Sequence, residues 1–266
     1  MTSLELIKSR RSVRTFDARP LEKDDLDALT NYANDCENPY GIKIEWEIKN
    51  AAEAKLSSPV IVGESFYIAG KVAPVDGCAE AFGYEFEKIL LYALSRGVGS
   101  VMIAGTLDRQ AFERAFGVRE GEIMPCVSPL GYTAEKMSLR ETLMRKGTGA
   151  DRRLPFEEIF FDSSFDAPLK ESASGALQGA LEAVRLSPSA VNKQPWRVVI
   201  QNDRVHFFEK GAKSAKNGFD IHKVDLGIAL CHFETAARES GLDVTFERRD
   251  PGIDPRDCEY IATYVI

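Results

Sequence analysis

The chain contains one helical pattern twice, and this repetition constrains the fold more than any single segment does. Residues 16–21, Phe-Asp-Ala-Arg-Pro-Leu, lead into apolar residues at helical spacing, and residues 165–169, Phe-Asp-Ala-Pro-Leu, lead into another such pattern. A longer helical pattern over residues 81–98 also aligns without gaps on residues 225–242. The common order of these matches indicates an internal duplication.

Both long helical patterns end at a glycine, Gly97 in the first and Gly241 in the second, where a left-handed residue closes a helix. Apolar side chains cover more than half of the first helix, so we expect it to be central and buried on most sides. Each match alone also suits an ordinary capped amphipathic helix. Taken together, they predict an α+β fold in which residues 1–155 and 156–266 form two related α/β units, the second shorter.

Other segments predict strands and a connection. Residues 196–201 and 204–209 are rich in β-branched and aromatic side chains, and Asn202-Asp203 between them accepts the positive φ of a two-residue turn. This pattern predicts a β-hairpin. Residues 137–153 are polar, basic and contain glycine, and we interpret them as a connector between the two copies.

Composition narrows the class of protein. The 266 residues carry a formal net charge of −7, which argues against the basic footprint of a nucleic-acid-binding domain. The five cysteines include no C-x-x-C pair, so neither a zinc site nor a disulfide framework is predicted, and no metal is expected. No apolar run approaches the ~20 residues of a membrane span, and the first residues lack the apolar core of a signal peptide. We therefore expect a cytoplasmic protein.

Two short segments carry the chemistry. Residues 10–16, Arg-Arg-Ser-Val-Arg-Thr-Phe, offer guanidinium groups and a hydroxyl, which suit a phosphate. Residues 187–196, Ser-Pro-Ser-Ala-Val-Asn-Lys-Gln-Pro-Trp, offer a turn with backbone donors and a side-chain amide, which suit a planar heterocycle. The ordinary interpretations are a solvated surface patch for the first and a simple turn before a strand for the second.

Together these segments resemble the nitroreductase family of flavin enzymes, whose pattern opens with R-x-S-x-R/K-x-F and continues to a P-S-x-x-N-x-Q-P-W turn. Here the first copy has the opening without the turn, and the second has the turn without the arginines. Family members are usually homodimers in which the two elements, from different subunits, surround each flavin mononucleotide (FMN). The resemblance is closest to the subgroup with two units in one polypeptide. It implies that the two units are interlocked as one globular body, an intramolecular pseudo-dimer with one FMN site. Such a chain can work as a monomer, and whether two of these chains associate further stays open.

The resemblance also implies which residues bind FMN. Arg10 and Ser12 are candidates for the phosphate, and Arg14 for the pyrimidine end of the ring, where a cation tunes the reduction potential. No side chain is assigned a catalytic role, because the flavin carries the chemistry. The complete set of cofactor-binding candidates is Arg10, Arg11, Ser12, Arg14, Met102, Ala104, Gly105, Arg153, Pro188, Ser189, Ala190 and Asn192.

Three of these candidates belong to residues 99–105, which resemble the stretch whose backbone amide faces the flavin N5 in the family. Many members carry a glutamate where Ala104 falls here, so the substrates of the family do not transfer directly. Gly105 permits a close approach of the backbone. Arg153 resembles the closing basic segment that reaches the phosphate.

The implied activity is an FMN-dependent oxidoreductase in which NADH or NADPH reduces the flavin and a small organic acceptor, nitro- or quinone-like, then takes the electrons in a ping-pong cycle. Neither a nucleic acid nor a membrane is an expected partner. Two alternatives stay open: a flavin-binding protein without nitroreductase turnover, and a degenerate scaffold that binds no cofactor. The acceptor and the choice between NADH and NADPH also stay open.

Overall fold

The chain divides into two compact units in the structure, a computed structural model that describes residues 2–211 and 219–266. The first, here called the N-terminal unit, is Ser9–Ala150, and the C-terminal unit combines Met1–Lys8 with Asp151–Ile266. Helix α1 (Ser3–Ser9) therefore lies almost wholly in the C-terminal unit. The Ser3 backbone N–H donates to both carboxylate oxygens of Glu239, at 2.9 and 2.8 Å.

The elements of the N-terminal unit in chain order are α2 (Lys23–Asn34), β1 (Ile44–Asn50), β2 (Phe66–Val72), α3 (Cys78–Ser95), β3 (Val98–Ser100), α4 (Arg109–Ala115), β4 (Val127–Tyr132) and α5 (Leu139–Thr148). Its four strands form one antiparallel sheet in the order β1-β2-β4-β3.

Helix α3 is the buried centre of this unit, as its apolar circumference predicts. Phe82, Phe86 and Ile89 have no exposed surface, and the helix also buries three carboxylates, Glu80, Glu85 and Glu87. Gly97 follows the helix with a φ of 79°, which confirms the predicted left-handed closure.

Residues 137–153 are more than the connector that their composition suggests, because ten of them form α5. The Ser138 hydroxyl accepts the Glu141 backbone N–H at 3.1 Å and so caps the helix, and Gly149 ends it with a φ of 58°. The spacing Ser-x-x-Glu is a capping box, a local signal that outweighs the glycine and basic content of the segment.

The C-terminal unit has a five-stranded sheet in the order β5-β6-β7-β9-β8, in which only the β5–β6 pair is parallel. The predicted hairpin is confirmed, with Asn202 in the turn at a φ of 56°. The elements in chain order are α6 (Phe156–Ile159), β5 (Phe160–Asp162), α7 (Gln178–Leu186), β6 (Trp196–Gln201), β7 (Arg204–Lys210), α8 (Ile221–Glu239), β8 (Thr245–Glu247) and β9 (Cys258–Val265).

The core of the C-terminal unit lies between its sheet and α8. Phe207 of β7 and Tyr264 of β9 both contact Phe233 of α8, with ring centroids 5.5 and 5.1 Å apart. Gly241 follows α8 with a φ of 82°, as predicted. The helices and mainly antiparallel sheets of the two units confirm the α+β class, while the origin of the units by duplication stays a prediction. Within the described residues, no helix has both the length and the apolarity to cross a membrane.

Candidate functional site

The basic segment, residues 10–16, lies in the N-terminal unit as an extended chain. The Val13 N–H donates to the Ser100 carbonyl at 2.9 Å, and the Phe16 N–H donates to the Val62 carbonyl at 2.8 Å. The side chains of Val13 and Phe16 are buried in the core of the unit, whereas the arginines and Ser12 between and before them are half-buried. The two apolar residues therefore anchor the segment and leave its polar groups at the surface of the sheet.

Two glycines leave room for these anchors. A Cβ on Gly99 would lie 2.7 Å from Thr133 Oγ1 and 3.1 Å from Val13 Cγ1, and a Cβ on Gly131 would lie 2.9 Å from Phe16 Cδ1. Real side chains do not pack this closely. Gly99 and Gly131 are thus required for the position of the basic segment.

Arg10 is fixed by a carboxylate inside the unit. Its Nε lies 2.9 Å from Glu87 Oε1 on α3, and the two side chains are 8% and 0% exposed. A guanidinium has five N–H donors, so a partner at Nε leaves its terminal nitrogens available for a second anion. By contrast, the Ser12 hydroxyl makes no hydrogen bond with any part of the chain that the structure describes.

Helix α5 supplies the groups around Arg11 and Arg14. Glu141 Oε2 accepts the Arg14 backbone N–H at 3.2 Å and the Thr15 hydroxyl at 2.8 Å, and its Oε1 lies 3.5 Å from Arg11 Nη1. Burial lowers the pKa of the Arg14 guanidinium, Glu141 opposes that change, and the positive charge of Arg145 adds to it. Arg14 is therefore a partly desolvated cation between one carboxylate and a second cation.

The stretch with Met102, Ala104 and Gly105 continues from the Ser100 carbonyl that binds the basic segment. Ile103 exchanges two backbone hydrogen bonds with Val127 of β4, at 2.8 and 2.9 Å, which hold this stretch in place. The Ala104 carbonyl accepts from Arg109 Nη2 at 2.8 Å. Met102 is half-buried, and Gly105 is exposed with no atom within 4 Å of a Cβ built on it. The structure thus brings residues 99–105 together with the basic segment, residues 10–16.

The asparagine turn, residues 187–196, lies in the C-terminal unit and holds a strained backbone. Val191, Asn192 and Gln194 have φ values of 48°, 57° and 51°. Such left-handed residues cost about 1–3 kcal/mol each and persist where surrounding contacts impose them. Here Ser189 Oγ accepts the Gln194 backbone N–H at 2.8 Å across the turn.

The asparagine turn also makes hydrogen bonds to residues 152–154, which include the predicted Arg153 and precede α6. Asn192 Nδ2 donates to the Arg152 carbonyl at 3.0 Å, and Gln194 Oε1 accepts the Leu154 N–H at 2.9 Å. The guanidinium of Arg153 donates to the Leu186 carbonyl at 3.2 Å, at the end of α7. Arg153 and Asn192, which are far apart in sequence, therefore belong to one cluster.

Ala190 is held by a buried carboxylate. Its backbone N–H lies 3.0 and 3.1 Å from the two carboxylate oxygens of Asp225 on α8, and His222 Nδ1 lies 3.0 Å from the same carboxylate. Burial raises the pKa of Asp225 to about 6, although His222 and the Ala190 N–H act against that change. A flavin contact by the Ala190 amide would have to share or replace this bond.

A second buried carboxyl lies on β7 of the same unit. Glu209 pairs in register with Trp196, is fully buried, and neither of its oxygens has a hydrogen-bond partner among the described residues. Burial, reinforced by the negative charge of Asp220, raises the pKa of Glu209 to about 7. Lys223 opposes this rise. Glu209 therefore titrates near neutral pH.

Sequence reasoning missed three carboxylates that position predicted residues, Glu87, Glu141 and Asp225, and it also missed the buried Glu209. For Glu141, the capping box that begins at Ser138 was an available signal. For Glu87, its place on a helix that the sequence predicts to be buried on most sides was another, because a buried charge needs a partner. We find no local signal for the pairing of Asp225 with Ala190.

Comparisons with known proteins point to one family. A family model described as "Putative TM nitroreductase" matches residues 2–237. The chain is similar in structure to a "putative nitroreductase" from Thermotoga maritima, with 21% identity, a TM-score of 0.65, and coverage of 99% of this chain and 92% of that one. A comparison with curated proteins finds no match.

Two further solved structures each match about half of the chain. One is an FMN-dependent nitroreductase from Clostridium difficile, with 19% identity, a TM-score of 0.43, and coverage of 50% of this chain and 88% of that one. The other is a "putative NADH dehydrogenase/NAD(P)H nitroreductase" from Bacteroides thetaiotaomicron, with 20% identity, a TM-score of 0.43, and coverage of 51% and 89%.

Proposed function

Since this chain belongs to the nitroreductase family, we propose that it is an FMN-dependent oxidoreductase that uses NAD(P)H to reduce a small organic acceptor. The basic segment carries this proposal. Its Ser12 hydroxyl has no partner among the described residues and stands in sequence between two arginines, Arg11 and Arg14, on a half-buried segment that the buried side chains of Val13 and Phe16 anchor. A phosphate needs this combination of a neutral donor and charged donors at short range.

The charges in this region fit the phosphate of FMN. Arg11 and Arg14 contribute two positive charges around the single negative charge of Glu141. A flavin phosphate carries about −1.5 to −2 at neutral pH, so it supplies negative charge where the positive charge of the basic segment exceeds the negative charge of Glu141. Partial burial of Arg14 strengthens the attraction, because charges interact more strongly where water is excluded.

The polar residues of the basic segment then each have a proposed role. Ser12 and Arg11 bind the phosphate, and Arg10, whose Nε is paired with Glu87, directs its remaining donors to the same anion. Arg14 stabilises negative charge on the pyrimidine end of the ring. Gly105 leaves open space for the ring at the stretch that also contains Met102 and Ala104.

Contact with the same FMN stays a prediction of the sequence for the residues of the C-terminal unit: Arg153, Pro188, Ser189, Ala190 and Asn192. The strained backbone of the asparagine turn supports a functional role, since such strain is maintained at binding sites more often than elsewhere.

When bound, FMN supplies reversible two-electron chemistry, which lets a reduced nicotinamide and an oxidised acceptor react at one site in turn. The residues of the chain hold the cofactor and set the charge around it. Because Ala104 places no carboxyl group at its position, we propose an acceptor that needs no such group for binding, of the nitro- or quinone-like class.

The test is flavin binding and reduction. The purified protein, saturated with FMN and freed of excess, should be yellow and should bleach under anaerobic mixing with NADH or NADPH. Arg14→Ala should weaken FMN binding about 10–100-fold, the value of a charge-assisted hydrogen bond, and lower the reduction potential. Asn192→Ala tests the C-terminal unit in the same way.

Arg114→Ala is the matched control, because Arg114 is exposed on α4 and its loss changes the net charge equally. A protein that binds no FMN contradicts the proposal. A protein that binds FMN but is reduced by neither nicotinamide is a flavin-binding protein without this turnover.

A further inference from the structure

Helix α5 docks on the basic segment through a compact hydrogen-bond network. The Thr15 hydroxyl donates to Glu141 Oε2 at 2.8 Å and accepts the Ser138 backbone N–H at 3.1 Å. The Arg14 N–H donates to the same Glu141 oxygen at 3.2 Å. The first turn of α5 therefore fixes the backbone at residues 14 and 15, which lie 127 and 126 positions away from Glu141 in sequence.

Glu141 is an unusual residue for this position. Its side chain is 1% exposed, although it belongs to a ten-residue helix in which Leu139 and Leu143 are 85% and 70% exposed. A buried carboxylate is costly unless charged or polar donors surround it. Its donors are the backbone and side chains of the segment that we assign to FMN.

We propose that Glu141 is a positioning residue for the anion site: it fixes Arg14 and Thr15 in the geometry that binds the cofactor and offsets part of the positive charge there. This proposal rests on the proposed function, because it assigns the anion to FMN. Glu141 itself does not touch the anion.

Two substitutions separate the geometric role from the role in charge. Glu141→Gln keeps an oxygen that accepts from the Arg14 N–H and the Thr15 hydroxyl, but it removes the negative charge. Glu141→Ala removes both. Glu135→Gln is the control, because Glu135 is exposed in the same unit and its substitution gives the same change in net charge.

The experiment measures dissociation constants of FMN and of inorganic phosphate by calorimetry for the wild type and the three variants, and the midpoint potential of bound FMN. Glu141→Ala should bind both ligands about tenfold more weakly than wild type, since two hydrogen bonds that order the segment are lost. Glu141→Gln should bind them at least as tightly as wild type, with a raised midpoint potential, because removal of a nearby negative charge favours the reduced, more negative flavin. Glu135→Gln should match wild type.

The outcomes separate the two proposals. If Glu141→Ala and Glu141→Gln bind FMN equally well, or if the potential of the Gln variant does not rise, the role of Glu141 is overturned while FMN binding stands. If the wild type binds phosphate with the expected order of variants but binds no FMN, the proposed function fails and the positioning role stands. Binding of neither ligand overturns both. Should Glu141→Ala fail to fold, Thr15→Val, which removes one hydrogen bond of the network, must weaken FMN binding several-fold.

Discussion

Glu209 makes the stability of the C-terminal unit depend on pH. Burial raises the pKa of this carboxyl from 4.5, its ordinary value, to about 7. The folded chain therefore prefers the protonated form of Glu209. The contribution of this preference to the free energy of unfolding is fully present below about pH 4.5 and is lost as the pH rises to about 7. The gap between 4.5 and about 7 corresponds to about 3 kcal/mol.

Glu209→Gln removes the ionisation and keeps the shape of the side chain. We expect the variant and the wild type to have similar free energies of unfolding at pH 5, and the variant to be more stable by about 3 kcal/mol at pH 8. Glu157→Gln is the control, because Glu157 is exposed in the same unit.

The assay uses the two tryptophans of the chain, which lie in different units: Trp46 on β1 and Trp196 on β6. In a Trp46→Phe background, urea unfolding followed by fluorescence reports the C-terminal unit alone, through the residue paired in register with Glu209. The reasoning would be refuted if the free energy of unfolding of the Gln variant exceeded that of the wild type by the same amount at pH 5 and pH 8. It would also be refuted if the wild type were the more stable protein at pH 8.

Three further predictions concern the N-terminal unit. Gly131→Ala should lower the free energy of unfolding by about 1–3 kcal/mol and reduce FMN content, because its Cβ would lie 2.9 Å from the ring of Phe16; thermal unfolding and flavin absorbance measure both effects. Gly105→Ala should leave the unfolding free energy within about 0.5 kcal/mol of wild type, since its Cβ meets no atom within 4 Å, yet it should weaken FMN binding in a fluorescence titration. Glu87→Gln should destabilise the unit by about 3 kcal/mol in urea unfolding followed at Trp46, because it leaves the buried charge of Arg10 without its counter-charge.

The features that the sequence predicts correctly are those that neighbouring residues determine. The hairpin from Trp196 to Lys210 follows from strand composition and a two-residue turn, and the closures at Gly97 and Gly241 follow from the glycines themselves. The α+β class follows from the same local patterns.

The features that it does not predict depend on distant partners. Helix α5 has a local capping signal, but the contact of Glu141 with Arg14 spans 127 residues, and no periodicity in either segment encodes it. Similarly, Ala190 meets Asp225 only because the turn and α8 come together in the folded unit. The sequence therefore indicates which residues have suitable chemistry, and tertiary contacts determine which carboxylates hold them.

The assignment of α1 to the C-terminal unit affects the order of events on the ribosome. The acceptor of the Ser3 N–H, Glu239, is added to the growing chain only 236 residues after Ser3. Ser9–Ala150 contains its own sheet and core and has what it needs to fold during translation, since domains generally fold as units in the order of their synthesis. Helix α1 must then remain undocked until Glu239 has been synthesised, so a nascent chain arrested before residue 239 should expose this helix to proteases.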